Sequence, residues 1–174
     1  MKKAAVAAMD CAVAQTLDVI GDWWTLLILR NAFHGMRTFD NFQTDLGIST
    51  SVLSQRLKTL CTNGVLEKRR SSSDGRSFEY RLTDSGLELY PILIALMQWG
   101  ERYRPNPQGV RVELRERVSG KLIDGVHVLA RDGRRLGARD VTPVAGPGAD
   151  DQTRALLSHR GRRPSWPDSG HSGS

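Results

Sequence analysis

The stretch "ISTSVLSQRLKTLCTNG", residues 48–64, puts apolar and polar side chains on opposite sides of one helix. Leu53, Leu57 and Leu60 recur at helical spacing and mark a face built for a core. The other side carries Ser51, Gln55, Lys58, Thr59 and Thr62, with Arg56 on its flank and Ser49 and Thr50 at its start, and the whole stretch lacks an acidic residue. Hydroxyls and an amide can bond base edges or phosphates, and Lys and Arg neutralise a phosphate backbone that repels carboxylates. A helix start also points unpaired N–H groups at anions. These residue types suit a helix that enters the major groove of DNA. A solvated helix that happens to lack acids is the competing reading, and its neighbours in the chain decide between them.

A first helix is predicted over about 4–20, broken by Gly21. Asp22 is then a plausible N-cap for "WWTLLILRNAF", in which Trp24, Leu27 and Ile28 can share a buried face, and Gly35 ends that helix. Phe39, Phe42 and Leu46 give "TFDNFQTDL" the spacing of a short third helix. The turn at Gly47 leads to Ser49, which caps the helix described above, and Asn63-Gly64 closes it. The period then changes from helical to alternating. "VLEKRR" and "FEYRLT" read as two short strands around the polar loop "SSSDGRS". Arg69 on the first strand, with Ser73 and Arg76 at the loop, supplies further candidate contacts to DNA. Thr83 caps a last long helix that Pro91 could kink.

This order is that of a winged helix-turn-helix, mainly α with a small β wing. A support helix, a reader helix and a basic hairpin are the three parts such a module brings to DNA. Charge follows the same plan. Net charge is +6 overall, and residues 49–81 hold seven basic and three acidic groups, while residues 1–48 hold four and five. The alternative from another class is a winged-helix module that binds a protein partner without DNA. Such modules usually lose the basic wing and reader, and this chain keeps both.

Domain 1–104 contains the module with its helical arms. "PNPQG" reads as a linker, so a break after Pro105 leaves the module complete. The 105–144 segment is a β-rich extension: "VRVELRERV" alternates as a half-buried strand would, and turns at "SGK" and "RDGR" predict a small β-meander over about 110–142. Residues 145–174 have little to bury and read as disordered.

Several classes are excluded by what the chain carries. Its two cysteines, Cys11 and Cys61, belong to no spaced set, and the four histidines show no ligand spacing, so no metal or other cofactor is expected. Cys61 lies beside Leu57 on the core face and reads as structural. No nucleophile–base set or phosphate-binding glycine loop is present, so no enzyme is expected. "MKKAAVAAMDC" resembles a leader only briefly, since Asp10 interrupts the apolar run, and the apolar stretches "TLLIL" and "PILIALMQW" are too short to span a bilayer. The expectation is a cytoplasmic protein.

Residues 9–103 resemble the HxlR-type winged-helix transcriptional regulators. The motifs that carry the resemblance are Cys11 ahead of the Gly-x-x-Trp-Thr-Leu-Leu-Ile-Leu-Arg run at 21–30, Gly-Ile-Ser at 47–49, Gln-Arg-Leu at 55–57, Glu-Tyr-Arg-Leu-Thr at 79–83 and Trp-Gly at 99–100. The resemblance implies a homodimer on pseudo-palindromic operator DNA, acting in most members as a repressor. It implies a dimer interface built by the terminal helices, in or near which Cys11, Trp24, Leu93 and Trp99 would lie. A small-molecule or redox effector is a further candidate partner. Some members sense through the equivalent cysteine, which makes Cys11 a candidate redox sensor, with small-residue packing as the other reading. Trp23, Trp24 and Trp99 have two readings as well, core packing or the lining of an effector cavity between the arms. Trp23 stands where the family often has Lys or Arg, Ala12 where many members have proline, and the extension lacks the paired cysteines that suggest zinc in some members.

Overall fold

The computed structural model describes residues 9, 11–71 and 77–158. Ser73 and Arg76 lie outside the described residues, as do residues 1–8, Asp10 and residues 159–174. Cys11 has extended backbone (φ −145°, ψ 121°) and forms the N-cap of α1 (Ala12–Ile20), and the part of the expected helix over residues 4–8 lies outside the described residues. Asp22 caps α2 (Trp23–Phe33), its carboxylate accepting from the Trp24 N–H at 3.0 Å.

Helix α2 is the centre of the module. It packs against α1, against the two helices of the helix-turn-helix, against the second wing strand and against the last long helix. Contact on so many sides widens its buried set beyond the expected face, of which Ile28 alone is fully buried. Thr25, Ile28, Leu29 and Asn31 are the buried residues, and Trp24 and Leu27 are half-buried. Asn31 tolerates this position because its amide is bonded. Its Oδ1 accepts from Arg30 Nε (2.9 Å) and Nη2 (2.7 Å), and its Nδ2 donates to Asp45 Oδ2 at 2.7 Å. Arg30 also pairs with Asp45 at 3.1 Å, so α2 grips the support helix through a polar cluster as well as through the core.

That support helix, α3 (Phe39–Leu46), is capped by the Thr38 hydroxyl and ends at Gly47 in the left-handed region (φ +59°). After Ile48 and the Ser49 cap comes α4 (Thr50–Thr62). Its far end closes on Gly64 (φ +68°), with the Val65 N–H donating to Leu60 O at 2.9 Å. The core lies between α2, α3, α4 and the hairpin: Ile28, Leu29, Phe42, Leu53, Leu57, Leu60 and Leu66 are buried together.

Strands β1 (Leu66–Arg70) and β2 (Phe78–Leu82) pair antiparallel, Leu66 opposite Leu82 and Arg70 opposite Phe78. A bridge from Thr38 to Glu79 and a bond from the Tyr80 N–H to Arg37 O (2.7 Å) tie the hairpin to the start of α3. The single kinked helix expected after Thr83 is two helices, α5 (Asp84–Leu87) and α6 (Tyr90–Tyr103). Pro91 has no N–H to give and its ring would meet the carbonyl of Leu87, so one helix ends there and Pro91 joins the first turn of the next.

The compact unit runs on past the expected boundary at Pro105 and ends at Val126. Arg111 pairs with Glu101 of α6 at 3.1 Å, and the Val126 N–H donates to Gln98 Oε1 at 2.9 Å. Val110, Val112, Leu114, Leu122 and Ile123 line one cavity with Ile94 and Met97 of α6. A second unit begins at His127. The "SGK" and "RDGR" turns are present, with Gly120 and Gly133 at positive φ. The strands of the expected meander are not formed among the described residues. Each turn closes on one isolated bridge, Arg115 to Leu122 in the first unit and Leu129 to Arg135 in the second. A short helix, α7 (Asp151–Ser158), stands inside the segment read as disordered, its first turn held by Asp150 Oδ1 accepting from the Thr153 N–H at 2.7 Å. Among the described residues no single helix is long and apolar enough to cross a membrane.

Candidate nucleic-acid interface

The outward strip of α4 is set by the burial of Leu53, Leu57 and Leu60 on its other side. Thr50, Ser51, Ser54, Gln55, Lys58 and Thr62 are exposed along it. Ser54 was not among the expected contacts, although its spacing of three from Ser51 puts it on the same strip. The first turn is preorganised. Gln43 of α3 donates its Nε2 to Thr50 Oγ1 at 2.8 Å, the Ser49 and Ser51 hydroxyls stand 3.3 Å apart, and Ser49 Oγ accepts from the Val52 N–H at 3.4 Å. The support helix therefore fixes the reader at the end where backbone N–H groups are unpaired.

Two expected contacts look elsewhere. Arg56 is turned to the flank, where its Nη2 meets Asp22 Oδ2 at 2.9 Å, and its Nε is buried without a hydrogen-bond partner. Thr59 is half-buried beside it, and both line a cavity of about 240 Å³ with Leu17, Asp18, Asp22 and Thr25. The helical period explains this: Arg56 and Thr59 are three apart, and α1 and the start of α2 cover that flank. On the wing, Arg69 is exposed but paired with Glu67 at 2.7 Å, on the face it shares with Glu79 and Arg81. Glu79 accepts from Arg81 and from Ser71 Oγ, and these bonds hold its carboxyl below the usual glutamate range. Sequence spacing found the reader strip but not the Asp22 partner of Arg56, which is distant in the chain, whereas Glu67 stands two residues from Arg69 on the same strand face.

Of the expected interface residues, Cys11 and Trp99 are exposed, while Trp24 and Leu93 are half-buried against the core of their own chain. Trp23 is 72% exposed and stands edge-on to Trp24, ring centroids 6.2 Å apart. Cys61 is half-buried beside the core, and burial pushes its thiol up, with Lys68 opposing more weakly.

Comparison with known proteins agrees with this geometry. Residues 19–108 match the family described as HxlR-like helix-turn-helix. Rv3095 of Mycobacterium tuberculosis (strain H37Rv), named as an otherwise uncharacterised helix-turn-helix transcriptional regulator, is 41% identical over 137 residues, 79% of this chain and 87% of its own length. The crystal structure of PA1607, a candidate transcription factor, is similar with a TM-score of 0.73 at 42% identity, covering 79% of this chain and 96% of that one. The oxidised form of HypR, named a redox regulator, matches with a TM-score of 0.50 at 30% identity over 54% of this chain and 98% of its own. The chain belongs to the HxlR-like helix-turn-helix family and is a DNA-binding transcriptional regulator, not an enzyme.

Proposed function

We propose that the protein acts as a homodimeric repressor on pseudo-palindromic operators, each copy placing α4 in a major groove. The observation that carries the reading is the strip from Thr50 to Thr62, which is polar or basic throughout and free of carboxylates. Short hydroxyls at Thr50, Ser51 and Ser54, the Gln55 amide and the Lys58 cation can divide the work between base edges and phosphates. Two-fold symmetry is supported by apolar surface on the arms. Val13 and Leu17 on α1, Trp23 on α2, and Leu96, Trp99 and Tyr103 on α6 are all exposed. A monomer rarely leaves that much aromatic and aliphatic surface in water, and a dimer presents two readers to half-sites one helical turn apart. Genome-wide mapping of binding sites, followed by light scattering of the protein with a mapped duplex, tests this. Inverted half-sites bound by two copies are expected, with lower transcription from a reporter carrying the site. A stable monomer at micromolar concentration would sink the dimer, and a rise in reporter output would replace repression with activation.

A second reading concerns the effector. Cys11 is exposed, and the likeness to HypR, a redox regulator by name, favours oxidation of its thiol as a signal. Operator affinity is compared before and after mild peroxide, in the native chain and in Cys11→Ser. A large loss confined to the native chain supports sensing, and equal behaviour of the two leaves Cys11 as a packing residue of the arm.

A further inference from the structure

The two faces of the wing hairpin differ in chemistry. The register sets Lys68 opposite Tyr80 and Arg70 opposite Phe78. Side chains alternate across a strand, so these four share the face that Leu66 and Leu82 carry into the core. Lys68 Nζ lies 4.2 Å from the centroid of the Phe78 ring and 5.8 Å from that of Tyr80, and the Arg70 guanidinium lies 5.6 Å from Phe78. Strand β1, which carries Lys68 and Arg70, packs against the reader helix α4. The opposite face holds Glu67, Arg69, Glu79 and Arg81 in two ion pairs of 2.7 and 2.8 Å, and its charges cancel within the hairpin.

A ring and a carboxylate treat a cation differently. A carboxylate neutralises it, whereas an aromatic face holds it in place and leaves its full charge for an outside anion. Lys68 is exposed and has no ion-pair partner among the described residues. Phe78 is 41% exposed, so the ring that seats the Lys68 ammonium stands at the surface of the hairpin. We propose that the Lys68–Phe78 face of the hairpin is the wing's contact with DNA, Lys68 being the phosphate-binding cation and Phe78 the residue that positions it. Arg69, one strand position away, takes no part, because its charge is spent on Glu67.

The test uses the full chain and a mixed-sequence duplex, whose binding is dominated by phosphates, titrated over a range of salt concentrations. Lys68→Ala is expected to flatten the dependence of log affinity on log salt by about 0.9, one released counterion, while Arg69→Ala keeps the native slope. Phe78→Leu is expected to weaken binding about two- to fivefold, and Phe78→Tyr to restore it, because a tyrosine ring still seats the ammonium. Melting temperatures of all four variants confirm that they are folded. A flattened slope in Arg69→Ala with a native slope in Lys68→Ala would assign the contact to the other face and overturn the proposal. Native affinity in Phe78→Leu alongside weakened Lys68→Ala would overturn the positioning role.

Discussion

Arg56 of the reader helix and Asp22, the residue that caps α2, meet at 2.9 Å. One carboxylate therefore does two things: it accepts from the Trp24 N–H to start α2, and it holds the flank of α4 against that start. The pair joins the reader to the central helix beside their shared core, and it holds Arg56 off the strip that faces outward.

Arg56→Ala should cost about 0.5–1 kcal/mol of stability, the range of a partly exposed ion pair. It should leave the salt dependence of DNA binding unchanged, since no phosphate contact is lost. Denaturant unfolding and a salt titration measure the two quantities separately. A slope reduced by about one counterion would mean that Arg56 leaves Asp22 to touch phosphate in the complex.

Glu79 gives the wing an acid limit. Its carboxylate is favoured first by the hydrogen bond from Arg81 and next by the one from Ser71, so its folded pKa is depressed. A depressed carboxylate contributes stability that is present above the ordinary glutamate value of about 4.3 and is lost as pH falls through the folded value. The melting temperature of the native protein should therefore exceed that of Glu79→Gln at neutral pH, and the gap should close in acid below that range. A gap that stays constant from neutral to acidic pH would show that the charge is not what Glu79 contributes.

Ending the chain after Arg104 should destabilise the module, whereas ending it after Val126 should not. The shorter chain loses the Arg111–Glu101 pair and the Val126–Gln98 bond, and it uncovers Ile94, only 5% exposed in the intact unit. Exposing one such side chain costs about 1.5–3 kcal/mol. Thermal melts of the two truncations decide it, and equal melting temperatures would restore the boundary at Pro105.

The elements of the module were legible because each carries its own local signal. Leu53, Leu57 and Leu60 have the helical period, Ser49 and Thr83 are caps, and Gly47 and Gly64 adopt the positive φ their turns require. What escaped depends on tertiary partners. Nothing at position 56 announces Asp22, and nothing at position 25 announces a buried threonine. The alternation of residues 110–118 was real as a pattern, but Val110, Val112 and Leu114 line a cavity with Ile94 and Met97 of α6 instead of forming a ladder with neighbouring strands, and Val118 is exposed. Helix α7 carried a readable signal in Asp150 ahead of "DQTRALLS", outweighed by the polar, glycine-rich composition around it.

Gly86 is required by a close approach. A Cβ at this position would lie 2.2 Å from Val65 O, the carbonyl beside which Thr83 and Ser85 converge on Gly64 O to join α5 to the end of the reader. Gly86→Ala must push α5 off that junction, and overpacking of this kind costs about 1–3 kcal/mol. A lowered melting temperature is the expected result. An unchanged one would mean that the junction yields freely and does not help hold the wing.

Gln55 separates recognition from attraction. It is exposed between Ser51 and Lys58 on the outward strip, without an intramolecular hydrogen bond among the described residues, so its amide is free to bond an adenine edge in two places. Gln55→Ala should weaken the preferred operator by about 1–3 kcal/mol and relax the preference at one base pair, while mixed-sequence DNA binds as before. Lys58→Ala should do the reverse, weakening all duplexes alike and flattening the salt slope, because a phosphate contact carries no base information. Both side chains point away from the core, so both variants should melt like the native protein. Selection of bound sequences from a random pool, run on the native chain and both variants, measures the difference. If Gln55→Ala selects the same motif with the same affinity, the reader is rotated about its axis and Ser51 or Ser54 occupies the base-reading position instead.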